Sequence, residues 1–222
     1  MSQERWSAVD AYIEDRLIAP DPGMAAVQAA SDAAGLPPHA VTPAQGKLLY
    51  LLAKMQAAQN ILEIGTLGGY STTWLARAVA PAGRVVSLEA NRVHAAIAKT
   101  NLERAGFGGI VDVRLGRAVE TLELLFDEGA GPFDFIFIDA DKPSNPEYLR
   151  WSLKLSRPGT VIVGDNVVRD GAVADPSSTA ADVRGVREFF DLMAENPRLS
   201  ATAIQTVGSK GYDGFSLAIV QD

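Results

Sequence analysis

Ile61-Leu62-Glu63-Ile64-Gly65-Thr66-Leu67-Gly68-Gly69-Tyr70-Ser71 decides the reading of this 222-residue chain. The apolar run closes on an acidic residue and a glycine-rich turn, after which Ser71 to Val79 carries a helical pattern. Strand, tight loop and helix N-terminus follow one another. Glycines let the backbone approach a ligand closely, and the first helical N–H groups have no partner inside the helix. That is the architecture of a nucleotide site. A dinucleotide loop needs G-x-G-x-x-G, and a Walker loop ends in Gly-Lys-Ser/Thr. Here Gly65, Gly68 and Gly69 stand without a lysine, so neither phosphate motif fits.

Working outward, Arg84-Val85-Val86-Ser87-Leu88-Glu89 is a second apolar strand closing on a carboxylate. It lies about twenty residues past the glycines, the offset at which α/β nucleotide sites place the acceptor of both ribose hydroxyls. Glu63 adds a negative charge beside the loop, which would repel a pyrophosphate but suits a ligand carrying an ammonium and a sulfonium. The cofactor implied is S-adenosylmethionine. At these residues the sequence resembles the cation-dependent O-methyltransferases, the catechol and caffeoyl-CoA O-methyltransferase family, whose first motif has the form L-E-I-G-T-x-x-G-Y-S.

Phe133-Asp134-Phe135-Ile136-Phe137-Ile138-Asp139-Ala140-Asp141-Lys142 reads as a buried strand ending in two carboxylates and an ammonium, and Val161-Ile162-Val163-Gly164 ends in Asp165-Asn166. In open α/β sheets ligands bind outside the carboxyl ends of the strands. If these two strands are neighbours, Asp139, Asp165 and Asn166 offer three oxygens to a hard cation, Mg²⁺ or another such as Mn²⁺ or Ca²⁺. The resemblance assigns the same three as metal ligands and Lys142 as the catalytic residue. It also implies cofactor contacts from Val41, Glu63, Gly65, Thr66, Ser71, Glu89, Ala118 and Asp139. Val41 belongs to the segment His39 to Gly46, and Ala118 to the adenine-side loop Gly116-Arg117-Ala118, where Arg117 replaces a frequent aspartate. Ser209 to Gly214 resembles the family's closing D-G hairpin but carries Lys210 where the catechol branch has a nearby acidic residue. Val167 to Ala180 is read as the loop lining the acceptor pocket.

The remaining chain bounds this reading. Zero cysteines exclude disulfides and thiolate sites, and two histidines leave little for zinc. A formal net charge of −7 disfavours wrapping a long polyanion. A small-molecule acceptor is therefore expected, and nucleic acid is not. No apolar run spans a bilayer, and the N-terminus lacks signal-peptide character, so a cytoplasmic, non-membrane protein is expected. His39 and His94 read as solvated side chains, Trp74 and Trp151 as packing aromatics.

Helices are expected over Trp6–Ala19, Met24–Ala34 and Thr42 to about Ala58, the last with Thr42 as N-cap and Pro43 at the first helical position. Strands are expected at Ile61–Ile64, Val85–Leu88, Val111–Arg114, Phe133–Ile138, Thr160–Val163, about Ser200–Thr206 and Phe215–Val220. Helices fall between most of them, at Asn91–Ala105, Ala118–Phe126, Asn145–Lys154 and Ala181–Glu195. The last two strands are joined by a turn too short for a parallel crossover. The fold expected is α/β: a doubly wound, Rossmann-like seven-stranded sheet, mostly parallel with one antiparallel strand. It forms a single domain over 1–222, with accessory helices in 1–40 and the core in 41–222.

The function expected is divalent-cation-dependent methyl transfer from S-adenosylmethionine to one hydroxyl of a vicinal diol, of catechol type. Two alternatives stand beside it: methylation of a hydroxylated nucleoside in RNA, and a non-catalytic S-adenosylmethionine-binding module. A nicotinamide oxidoreductase is disfavoured by the missing G-x-G-x-x-G and by Glu63. The resemblance also implies a homodimer paired through the apolar N-terminal helices.

Overall fold

The computed structural model describes residues 2–79 and 81–222; Met1 and Ala80 lie outside the described residues. Three helices come first, α1 (Gln3–Leu17), α2 (Pro22–Ala33) and α3 (Pro43–Met55). The chain then alternates through β1 (Asn60–Ile64), α4 (Tyr70–Val79), β2 (Arg84–Glu89), α5 (Arg92–Arg104), β3 (Val111–Leu115), α6 (Ala118–Asp127) and β4 (Phe133–Ile138). It ends with α7 (Asn145–Lys154), β5 (Ser156–Asp165), α8 (Ala181–Glu195), β6 (Leu199–Gly208) and β7 (Gly211–Val220).

The seven strands lie in the order β3-β2-β1-β4-β5-β7-β6. β1 to β5 are mutually parallel where they pair, and β7 runs antiparallel to both β5 and β6. Strand order reverses between β1 and β4, which opens a crevice at their carboxyl ends. Register decides what meets there. Ile64 is level with Leu88 and with Ile138, and Ile138 is level with Gly164. The next residues, Gly65, Glu89, Asp139 and Asp165, therefore stand in one row along the sheet end.

The strands are apolar almost throughout because both faces are covered. Leu62, Ile64, Ile136 and Ile138 pack under Leu122 and Leu125 of α6, Leu149 of α7 and Phe189 of α8. Ile61, Phe135, Phe137 and Val163 pack under Leu49 of α3 and Leu75 of α4. Each such buried side chain contributes about 1.5–3 kcal/mol. By contrast α1 buries none of its residues.

Helix starts follow their caps. Thr42 and Gln45 form a reciprocal capping box at α3, with Gln45 N–H donating to Thr42 Oγ1 at 3.2 Å and Thr42 N–H to Gln45 Oε1 at 2.9 Å. α2 begins two residues before the expected Met24, because Asp21 accepts the Met24 N–H at 3.0 Å and Pro22 fits the first turn. Asn145–Lys154 and Ala181–Glu195 match their expected bounds.

Three strands, β5, β6 and β7, run well past their expected bounds. β5 starts at Ser156 rather than Thr160: Ser156 pairs with Phe133, and an irregularity follows before Val161 pairs with Phe135. Thr160 bridges that gap, its hydroxyl accepting from Arg157 N–H and donating to Phe133 O. β6 and β7 pair down to Gly208 and Gly211, leaving Ser209 and Lys210 as a two-residue turn. Among the described residues, no helix is long and apolar enough to cross a membrane.

Candidate active site

The loop after β1 keeps its shape through Gly65. With φ +105 it occupies a region costly for other residues, and a Cβ there would fall 2.1 Å from the Asp139 carbonyl oxygen. Glu89 pins the same loop from the neighbouring strand. One carboxylate oxygen accepts the Leu67 N–H at 2.8 Å, and the other accepts the Asn91 N–H at 2.8 Å. His94, expected at the surface, instead places Nδ1 3.7 Å from Glu89.

Glu63 departs from expectation. It is 0% exposed and lies beneath the cavity rather than along it, with both oxygens occupied. Ser71 donates to one at 2.6 Å, and Thr72 and Ser87 donate to the other at 2.5 Å each. Burial pushes its carboxyl up to about 7, against the pull of these three hydroxyls. Glu63 thus buttresses the loop and the α4 N-terminus, and its side chain is not aimed at a ligand. Ser87 was passed over in the sequence, although aligning the two strands pairs it with Glu63.

At the β4–β5 end, Asp139 and Asp165 extend adjacent parallel strands. Lys142 sits in a 3₁₀ turn, Lys142–Ser144, with its Nζ 3.0 Å from Asp139 Oδ1. It is only 7% exposed because α8 closes over the turn. A Cβ on Gly185 of that helix would fall 2.2 Å from the Lys142 carbonyl oxygen. Asp165 is also 7% exposed and accepts the Asn166 N–H at 2.8 Å. Burial, and then the charge of Asp139, push it up to about 7, with Lys142 opposing. Asn166 follows at φ 54, in the left-handed region.

One cavity of about 1040 Å³ joins the two ends. Val41, Gly65, Thr66, Ser71, Glu89, Ala118, Asp139, Lys142, Asp165 and Asn166 all line it, and Glu63 does not. Asp141 and Tyr148 line it too, with the Tyr148 hydroxyl donating to Asp141 at 2.5 Å. Burial, and then that bond, raise the phenol above its ordinary value. Of the loop expected to face the acceptor, Arg169 and Asp170 line the cavity, whereas Val167 and Val168 are buried in the core. The β6–β7 turn supplies Lys210, whose ammonium is lowered by burial and held up by Asp139 and Asp165. Among the described residues, no three histidine, aspartate or glutamate side chains form a metal-binding group. The oxygen set at the β4–β5 end is two carboxylates and an amide.

Comparison with known proteins identifies the family. Residues 22–219 match the O-methyltransferase family. A catechol O-methyltransferase of Niastella koreensis is 50% identical over 221 residues, covering 100% of both chains. The structure of an O-methyltransferase from Bacillus cereus in complex with SAH superposes with a TM-score of 0.98 at 57% identity, covering 99% of this chain and 100% of that one. An O-methyltransferase of Streptomyces achromogenes involved in tomaymycin synthesis, in complex with SAM, superposes at 0.96 with 50% identity and full coverage of both. The chain belongs to the class I S-adenosylmethionine-dependent O-methyltransferases.

Proposed function

We propose that the hydroxyl methylated is one of a vicinal pair on an aromatic ring, and that a divalent cation assists at Asp139, Asp165 and Asn166. The observation that carries this reading is the row at the β4–β5 end. Two nearly buried groups, Asp165 and Lys142, flank Asp139 in the same cavity as the Glu89 end. The donor set fits a hard cation: it is oxygen only, and Asp165 is a buried carboxylate placed beside another. The name of the Niastella koreensis relative supports a diol acceptor.

The cofactor supplies an electrophilic methyl on a sulfonium. A cation held by these three residues would lower the pKa of a bound hydroxyl. The chain's own contribution is position and proton handling. Glu89, its two oxygens already orienting the loop, would accept ribose hydroxyls with its remaining lone pairs. Lys142, seated by α8 and by Asp139, holds or moves a proton at Nζ beside the acceptor oxygen.

Asp165→Ala tests the cation. It should bind S-adenosylmethionine within a few-fold of the unmodified protein while losing the response of catechol turnover to added Mg²⁺. Full metal-stimulated turnover in that variant would remove the site.

A further inference from the structure

Four cationic side chains line the cavity, those of Arg117, Lys142, Arg169 and Lys210. Three of them are paired with carboxylates. Arg117 meets Glu120 at 3.3 Å, Lys142 meets Asp139 at 3.0 Å, and Arg169 meets Asp182 at 2.7 Å. Among the described residues, Lys210 has no carboxylate within 4.0 Å; its Nζ donates only to the Ala40 carbonyl oxygen, at 2.5 Å. An ammonium carries three donors, so two are left over.

Nor is Lys210 the tip of a loose loop. It occupies one of the two turn residues between Gly208 and Gly211. That turn is tied to α1: Ser209 N–H donates to Asp10 at 2.6 Å, and the Gln3 amide donates to the carbonyls of Gly208 and Ser209 at 2.8 and 3.1 Å. Lys210 lines the same cavity as Asp139 and Asp165, and the charges of both reach it.

The geometry points to a subsite at Lys210 for an anionic group on the acceptor: the enzyme prefers aromatic diols that carry a carboxylate beyond the two hydroxyls. This rests on the diol reading above. A carboxylate entering the subsite accepts the two spare donors of an ammonium already fixed by its bond to Ala40. A neutral or cationic substituent leaves them unmatched or repelled.

The test compares 3,4-dihydroxybenzoate, 3,4-dihydroxybenzamide and 3,4-dihydroxybenzylamine, with S-adenosylmethionine and Mg²⁺, in the unmodified enzyme, Lys210→Met and Lys210→Glu. Unmodified enzyme should favour the benzoate over the benzamide in kcat/KM by about 10-fold or more, the effect of one charge-assisted contact. Lys210→Met should collapse that ratio to within about threefold of unity, mainly through KM, and Lys210→Glu should move the preference to the benzylamine. Calorimetry with S-adenosylmethionine alone separates a second role: if either variant weakens cofactor binding tenfold while the acceptor ratio stays fixed, Lys210 serves the cofactor's carboxylate and the subsite is overturned. Turnover of all three diols with no charge preference overturns the subsite and leaves the diol reading standing. No turnover of any diol overturns both.

Discussion

At the β1–β2 end of the cavity the carboxylates are spoken for. Glu63 is held by Ser71, Thr72 and Ser87, and Glu89 by two backbone N–H groups. At the β4–β5 end, Asp165 has one backbone N–H and a neighbouring like charge, and Asp139 has the Lys142 ammonium. The first end is organised before any ligand arrives, whereas the second stores unbalanced charge that a ligand must complete. Recognition of a constant cofactor asks for the first arrangement. Chemistry on an acceptor asks for the second, because a group that moves a proton cannot be fully satisfied at rest.

The contrast breaks most sharply at Lys142. Lys142→Ala should lower kcat by about 10²–10⁴-fold, the usual yield of general-base catalysis, with S-adenosylmethionine affinity within a few-fold. Single-turnover rates across pH measure it, and near-unmodified chemistry at neutral pH would remove Lys142 from the mechanism. Gly185→Ala reaches the same turn from behind. The added Cβ must displace the Lys142 backbone, costing about 1–3 kcal/mol of stability, and a misplacement near 1 Å lowers kcat by up to about 10²-fold. Melting and steady-state kinetics separate the two effects; unchanged kcat in a folded variant would show that α8 does not set the position of Lys142.

The cofactor end should respond in binding rather than in rate. Glu89→Ala should weaken S-adenosylmethionine at least about 10-fold, from loss of charge-assisted bonds worth about 1.5–3 kcal/mol each. Calorimetry giving unchanged affinity would return Glu89 to a purely structural role.

Glu63 gives the smallest and most specific effect, in the pH dependence of stability. Folding raises its carboxyl from 4.5 to about 7, so the folded protein keeps a proton that the unfolded chain has lost. The stability this group contributes is fully present below about pH 4.5 and is lost as pH rises through about 7. The span is on the order of 3 kcal/mol. Glu63→Gln should flatten melting temperature against pH across that window relative to the unmodified protein. Parallel curves for the two would mean that Glu63 does not titrate there.

Element type was legible wherever local chemistry and periodicity agreed. Thr42-Pro43 announced α3, α7 was expected at its observed bounds, and the apolar runs gave β1 and β4 to within a residue. Strand length was not legible where glycine or proline lies inside the pairing. Pro158 and Gly159 lie inside β5, in the irregularity between the Phe133–Ser156 and Phe135–Val161 pairs, and the β6–β7 ladder continues through Gly211 and Gly214, which read as part of a turn. Glu63 was recognised as important, but the enclosure of its side chain was not legible. A carboxylate at a strand end looks the same whether it faces ligand or three hydroxyls, and two of those hydroxyls come from the following helix and one from the neighbouring strand.

The sequence by itself determined the class of sheet, the glycine-rich loop after β1 and the residue types offered at four strand ends, because these depend on local pattern and on which side chains can do the chemistry. Only the tertiary structure decided that the four ends stand level in one row, that Glu63 is enclosed while Asp165 is left short of partners, and that Lys142 is pressed into place by a glycine forty-three positions away. The reason is physical. Register and packing are settled by contacts between segments distant in sequence, and the charge state of a buried group depends on which of those contacts it receives.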